Sequence, residues 1–254
     1  MEIYGKFANI YDSIMTEVPY DEWLEIILDI LKENEINDGI VADIACGSGE
    51  MTIRMADKGY DMIGLDMSPA MLERARDKST GRDILYICQD MREMEFYGTI
   101  RAAICMFDSI NYLTEYEDLV QTFKLVNNYL DIEGLWIFDF NTIHKYRMSG
   151  EESTIAEDDE DISFIWNDTF YEEDDINEID ITFFVKQENG LYERFNECHT
   201  QRGYDLETMI AAIEESGLVF VKAIDANTKK EADDNSERII MVARENGKKE
   251  RYAK

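Results

Sequence analysis

Between residues 40 and 142 the chain alternates short apolar runs with stretches whose apolar positions recur every three to four residues. The runs at 40–45, 61–66, 83–89, 101–107 and 134–140 predict strands, and the periodic stretches at 50–58, 69–78 and 115–130 predict helices. Thr114 with Glu117 three residues on has the capping-box pattern at the start of the last helix. Strand and helix in alternation predict a parallel sheet covered on both faces. Upstream, Ile3, Phe7, Ile10, Tyr11 and Ile14 mark an amphipathic helix over 3–16. Pro19 breaks it, and Trp23, Ile26, Ile27, Ile30 and Leu31 form a second helical face that stops near Asn37-Asp38-Gly39.

After Asn141-Thr142 the period changes. Residues 151–161 are almost all polar or acidic and predict a solvated loop. Residues 162–170, 176–187 and 191–201 then read as strands, with Ile179, Ile181, Phe183 and Val185 alternating against Glu178, Asp180 and Thr182. Asp174-Asp175 and Asn189-Gly190 supply the turns of an antiparallel meander. Asp205 opens a helix that Gly217 ends, and strands near 218–225 and 238–244 close the chain. The meander is thus inserted after the fifth strand, at the carboxyl end where open α/β sheets bind ligands. It is expected to act either as a lid or as a flap through which a homodimer forms.

The 254 residues, 45% of them hydrophobic, suffice for one α/β core with material left for a subdomain. A formal net charge of −31 repels phosphate backbones and anionic lipid, which argues against nucleic acid and membrane partners. Cys46, Cys88, Cys105 and Cys198 form no Cys-x-x-Cys pair, as expected of thiols in a reducing cytosol. The start lacks a basic region followed by an apolar stretch, and no apolar run approaches the roughly 18 residues of a membrane span, so a cytoplasmic protein is expected. Two histidines without clustered cysteines give no metal-site spacing, and Glu157-Asp158-Asp159-Glu160-Asp161 lacks the calcium-loop pattern, so no metal is expected.

The candidate chemistry centres on Val41-Ala42-Asp43-Ile44-Ala45-Cys46-Gly47-Ser48-Gly49-Glu50. Gly47 and Gly49 permit a tight turn and close approach of backbone to a ligand. Asp66 ends the next apolar run, 23 residues after Asp43, near the spacing at which an acid takes a ribose hydroxyl pair. Together they imply a nucleoside. Thr52 stands where a dinucleotide fingerprint needs a third small residue, which disfavours an NAD-dependent oxidoreductase, and no Lys follows as in a P-loop. Glu50 directly after the loop is expected to repel a pyrophosphate and to tolerate a cationic ligand.

These residues resemble motif I of the class I S-adenosylmethionine (SAM)-dependent methyltransferases, with Ala45 in place of the first glycine and Ser48 in place of threonine. Gly64-Leu65-Asp66-Met67-Ser68-Pro69-Ala70-Met71-Leu72, Gln89-Asp90-Met91 and Met106-Phe107-Asp108-Ser109-Ile110-Asn111-Tyr112-Leu113 resemble the family's later motifs, in order across about residues 37–142. The resemblance implies an α/β fold: a Rossmann-like seven-stranded, mostly parallel sheet with helices on both faces, plus the inserted antiparallel β-meander. Residues 1–142 and 204–246 would form the SAM-binding domain and 143–203 the insertion. It implies SAM contacts from Asp43, Ala45, Gly47, Ser48, Gly49, Asp66, Met67, Asp90, Met91 and Phe107. Asp66 would hold the ribose, Met67 pack on adenine, and Asp90 either meet the adenine amino group or cap its loop. Asp43 would lie near the SAM amino end or cap the glycine loop.

Tyr4, Phe7, Ala8, Tyr11 and Asp12 match the Tyr-x-x-Phe-Ala-x-x-Tyr-Asp signature of many small-molecule methyltransferases, in which this helix closes over SAM. Aminosugar N,N-dimethyltransferases of similar architecture often have Gly-His where this chain has Asn111-Tyr112, and a tyrosine of pKa near ~10 is a poor base. Tyr11 and Tyr112 are therefore candidates for positioning the reactants, and Tyr4, Asn111, His199 and Arg202 for substrate contact. His199 could equally be a packed strand residue, and Arg202 could pair with local acids. Methyl transfer from a sulfonium needs chiefly alignment and exclusion of water. The expected function is methyl transfer to an N or O atom of a small molecule. The alternatives are a protein substrate, or a non-catalytic SAM-binding module.

Overall fold

The computed structural model describes residues 7–248, so Tyr4 and the start of the first predicted helix lie outside the described residues. The chain begins with α1 (Ala8–Ile14), a 3-10 turn (Met15–Glu17) and α2 (Tyr20–Glu33). The alternating region follows as β1 (Ile40–Ile44), α3 (Glu50–Asp57), β2 (Asp61–Asp66), α4 (Pro69–Lys78), β3 (Ile84–Cys88), β4 (Ile100–Cys105), a 3-10 turn (Ser109–Tyr112), α5 (Tyr116–Tyr129) and β5 (Leu130–Asn141). Then come α6 (Ile143–Ser149), β6 (Glu152–Asp158), β7 (Ile162–Tyr171), β8 (Ile176–Lys186), β9 (Tyr192–Arg202), α7 (Leu206–Glu215), β10 (Leu218–Asp225) and β11 (Arg238–Glu245).

Seven strands form one sheet in the order β10-β11-β5-β4-β1-β2-β3. β1 to β5 pair in parallel, and β11 runs antiparallel to both β5 and β10. Alternate residues of β5 serve opposite faces. Trp136, Phe138 and Phe140 pack with Phe123 of α5 and Met209 of α7. Leu135 and Ile137 pack with Ile27, Ile30 and Leu31 of α2. Burial on both faces explains why these strands read as unbroken apolar runs.

The insertion is a four-stranded antiparallel sheet, β6-β7-β8-β9, rather than three strands behind a loop. Residues 151–161, expected as a loop, contain β6, which pairs with β7 from Glu152↔Thr169 to Asp158↔Ser163. β6 is an edge strand exposed along nearly its whole length, so no apolar alternation marks it. Its carboxylates are a means of keeping an edge from pairing with another chain. The seven-residue α6 was also not expected; Thr142 Oγ1 caps it by accepting from the Lys145 N–H at 3.2 Å. At α5 the expected Thr114–Glu117 capping box does not form: Glu115 is the N-cap, without a side-chain cap. The Thr114 carbonyl instead accepts from Arg202 Nη1 at 2.9 Å.

The small sheet is fastened over the large one through α1. Ile179, Ile181 and Phe183 of β8 pack with Phe7, Ile10 and Met71. The Phe7 and Phe183 rings stack at 5.2 Å between centroids. Asn111 clasps the other side, donating to the carbonyls of Asn141 (2.8 Å) and Arg202 (2.7 Å) and accepting from the Asn141 N–H (2.8 Å). A cavity of about 730 Å³ lies between the carboxyl ends of the parallel strands, α1 and the inner face of the small sheet.

Candidate active site

The cavity floor is the loop between β1 and α3. Ala45 (φ 58°), Gly47 (φ 54°) and Gly49 (φ 82°) all adopt left-handed backbone. For Ala45 this costs roughly 1–2 kcal/mol, which is the physical reason glycine is usual at the position. A Cβ on Gly49 would meet Ala75 Cβ at 3.0 Å and Tyr86 Oη at 2.9 Å, so the loop sits tightly on α4. Gly49 thus serves packing and does not line the cavity, whereas Ala45, Gly47 and Ser48 do.

Asp66 ends β2 at the cavity wall. Its Oδ2 accepts from the Gly47 N–H and its Oδ1 from the Ser68 N–H, both at 2.8 Å. Burial raises its pKa, and these two bonds oppose the rise. Each carboxylate oxygen keeps a second acceptor site, so the group is oriented and still able to take two hydroxyls. Met67, 57% exposed, and Met91 line the adjoining wall. Asp90 lines it too, with its carboxylate forked by Arg92 Nε (3.0 Å) and Nη2 (2.6 Å), and the Arg92 hydrogen bond holds its pKa low.

Asp43 is buried and accepts from Thr52 Oγ1 at 2.5 Å. The residue that breaks the dinucleotide pattern therefore has a positive role here. Burial raises the Asp43 pKa to about 7, against the Thr52 bond, which lowers it. An unfolded aspartate ionises near ~3.9. Between about pH 4 and 7 the folded state holds a proton that the unfolded state has released, so this residue's contribution to stability falls as pH rises and levels off above that window. Asp43→Asn keeps the acceptor and cannot ionise, so its urea-midpoint profile should lose that decline. Parallel wild-type and Asn profiles from pH 4 to 8 would refute the assignment.

Glu50 behaves differently from expectation. It pairs with Lys78 and with Arg54, so its charge is compensated within the protein. Asp12 of α1 joins this group, accepting from Ser48 Oγ at 2.6 Å and Lys78 Nζ at 3.0 Å, and so ties the N-terminal helix to the glycine loop.

At the other end of the cavity Phe107 (φ 65°) and Asp108 (φ 55°) form a left-handed turn after β4. Their N–H groups donate to the two oxygens of the fully buried Asp139, at 2.5 and 3.0 Å. Arg238 donates to Asp139 Oδ2 at 2.6 Å and pairs with Asp108 through Nη2. Asp108 Oδ2 also accepts from Gln201 Nε2 at 2.7 Å, and Gln201 Oε1 from Tyr146 Oη at 2.9 Å. None of Asp139, Arg238, Gln201 and Tyr146 was expected at the site. Asp139 left a signal, as a lone carboxylate inside the apolar run Leu135–Phe140, but its partner lies 99 positions away.

Tyr11, Tyr112 and His199 all line the cavity. Tyr112 Oη lies 3.2 Å from His199 Nδ1. Burial pushes the Tyr11 pKa up and the His199 pKa down. Asn111 and Arg202 do not line the cavity; the former is fully buried in its clasp, and the latter reaches Thr114. Among the described residues no group of His, Cys, Asp or Glu is arranged to hold a metal, and no helix is long and apolar enough to cross a membrane.

The open space before Gly47, where a Cβ would meet nothing within 4 Å, and the oriented Asp66 carboxylate beside it fit a nucleoside carrying a free ribose diol. A methyltransferase-domain family model matches residues 41–134. YqeM of Bacillus subtilis, provisionally named a methyltransferase, is 38% identical over 95% of this chain and 96% of its own. A SAM-dependent methyltransferase from Clostridium acetobutylicum is 30% identical, with a TM-score of 0.86 over 96% of this chain and 99% of its own. The sugar N-methyltransferase KedS8 from Streptoalloteichus shares the fold at 17% identity, with a TM-score of 0.75 over 91% and 92% of the two chains. Sequence motifs, sheet order and these relatives agree: the chain belongs to the class I SAM-dependent methyltransferases.

Proposed function

We propose that this methyltransferase acts on a nitrogen or oxygen atom of a small molecule. The observation that carries the reading is the roof: one face of the small sheet, through Trp166, Ile179, Ile181 and His199, closes the cavity from above. A volume of about 730 Å³ falls in the range of roughly 300–1,000 Å³ typical of small-ligand pockets. An amine acceptor also fits the fold shared with KedS8.

SAM supplies an activated methyl group when bound. The chain supplies position and dryness. Tyr11 stays protonated, because burial disfavours its phenolate, and so acts as a hydrogen-bonding and aromatic surface rather than as a base. His199 stays neutral, because burial disfavours its cation, and in that form one ring nitrogen can take a proton from the acceptor. The test is incubation with methyl-labelled SAM and size-fractionated cell extract. Label is expected in the small-molecule fraction, and label in protein or RNA would overturn the reading. Once an acceptor is in hand, Tyr11→Phe should keep SAM affinity within about threefold and lower turnover by about tenfold or more; equal turnover would remove Tyr11 from the site.

A further inference from the structure

Besides Asp43 and Asp66 at the glycine-loop end, which bond only neutral donors, two charged side chains line the cavity without an ion-pair partner among the described residues. Lys145 of α6 donates from Nζ to the neutral amide of Asn141, Oδ1 at 2.9 Å. Asp108 and Asp139 favour its charge from a distance, but Arg238 is the cation that both of them bond. Burial holds the Lys145 pKa below its ordinary value. Asp168 of β7 accepts from two neutral donors, Trp166 Nε1 at 2.8 Å and Asn177 Nδ2 at 2.9 Å. Burial makes the Lys145 charge costly unless something of opposite sign reaches it, and Asp168 is only partly exposed.

The two belong to one continuous wall. Lys145 precedes Tyr146, which donates to Gln201. Gln201 is the cross-strand partner of Asn177, and Asn177 donates to Asp168. Ser153, opposite Asp168 in the β6–β7 register, lines the same cavity. The wall therefore offers an ammonium at one end, a carboxylate at the other and neutral hydrogen-bonding groups between.

We propose that this wall is the acceptor subsite and that it takes a small zwitterion, an amino-acid-like molecule whose carboxylate meets Lys145 and whose amino group meets Asp168. This rests on the small-molecule reading above and narrows it. The arrangement uses charges of both signs in a protein that is strongly acidic overall, which a neutral or purely cationic acceptor would leave half unanswered. Asp168 is already held by two donors and Lys145 by one acceptor, so each is oriented before the ligand arrives.

The experiment is ion-exchange analysis of the methyl-labelled product formed by the full chain from the small-molecule fraction of extract. The expected product carries both a carboxyl and an amino or ammonium group: it is retained by a cation exchanger at acidic pH and, unless its nitrogen is quaternised, by an anion exchanger at alkaline pH. A product that lacks a carboxyl group even after mild alkaline hydrolysis of methyl esters, or that lacks any amine or quaternary ammonium group, overturns the inference and leaves the small-molecule reading standing. Label in macromolecules sinks that reading itself. Lys145→Met and Asp168→Asn should each lower the rate of label transfer at limiting acceptor by at least about tenfold, because a charge-assisted contact to the acceptor is lost. Lys145→Arg should restore part of the loss. Titration with S-adenosylhomocysteine guards against a cofactor role: affinity within about threefold of wild type is expected in both variants. A much weaker affinity in Lys145→Met would assign this lysine to the cofactor's carboxylate and overturn the proposal.

Discussion

Arg238→Met is expected to cost about 3–5 kcal/mol of folding stability, the range found when one partner of a buried ion pair is removed. Asp139 has no solvent exposure, and Arg238 is the cation that bonds it. With methionine in place, Asp139 would keep the N–H donors of Phe107 and Asp108 but no directly bonded cation, Lys145 acting only from a distance. Asp108, which lines the cavity, would lose the same partner. Urea unfolding at neutral pH measures the cost. The double variant Arg238→Met/Asp139→Asn removes the stranded charge and should recover a substantial part, since the penalty lies in an uncompensated carboxylate rather than in a lost contact. A single variant that loses less than about 1 kcal/mol, the scale of a surface pair, would show that water or a neighbour neutralises Asp139. The same pair also shapes the site, because Asp139 fixes the left-handed Phe107–Asp108 turn. Loss of methyl transfer should therefore accompany loss of stability.

That cluster also shows what a single sequence discloses. The parallel sheet was legible because β1, β4 and β5 are buried on both faces, which leaves long apolar runs between helical periods. The glycine loop and Asp66 were legible because their constraints are local: left-handed backbone at Gly47 and Gly49, and an acid at a strand end. β6 was hidden because an edge strand in water needs no apolar pattern, and its acidic composition reads as loop. The wall proposed as the acceptor subsite was hidden for another reason. Lys145, Asp168, Asn177 and Gln201 come from three strands and a short helix, and only strand register brings them together. Asn111 and Arg202 carried a motif-like position and a useful charge, yet the structure spends both on joining β9 to the loop after β4. Glu50 misled for a related reason: Arg54, one helical turn on at i+4, was within reach of a sequence reading, but Lys78 comes from α4 and only the fold brings it to Glu50.

Asp66→Ala should weaken SAM binding by at least about tenfold. The carboxylate is buried, its oxygens are held by the Gly47 and Ser68 N–H groups, and each retains one acceptor site for a ribose hydroxyl. A hydrogen bond to a charged group contributes about 1.5–3 kcal/mol. Two such bonds would amount to roughly 3–6 kcal/mol, but water entering the alanine site recovers part of this, so the lower bound is about one decade in affinity. The substitution also frees the glycine loop, since the Gly47 N–H loses its acceptor. Asp66→Asn separates the two effects. It keeps one acceptor for the loop and loses the charge, so it should bind SAM more weakly than wild type and better than the alanine variant. Calorimetric titration with SAM and with S-adenosylhomocysteine gives the affinities, and thermal unfolding without ligand confirms that each variant is folded. Equal losses for both ligands are expected, because they share the ribose and differ at the sulfur. A folded Asp66→Ala protein with unchanged affinity for both would mean that the ribose is held elsewhere, and that the carboxylate serves only to close the loop between β1 and α3.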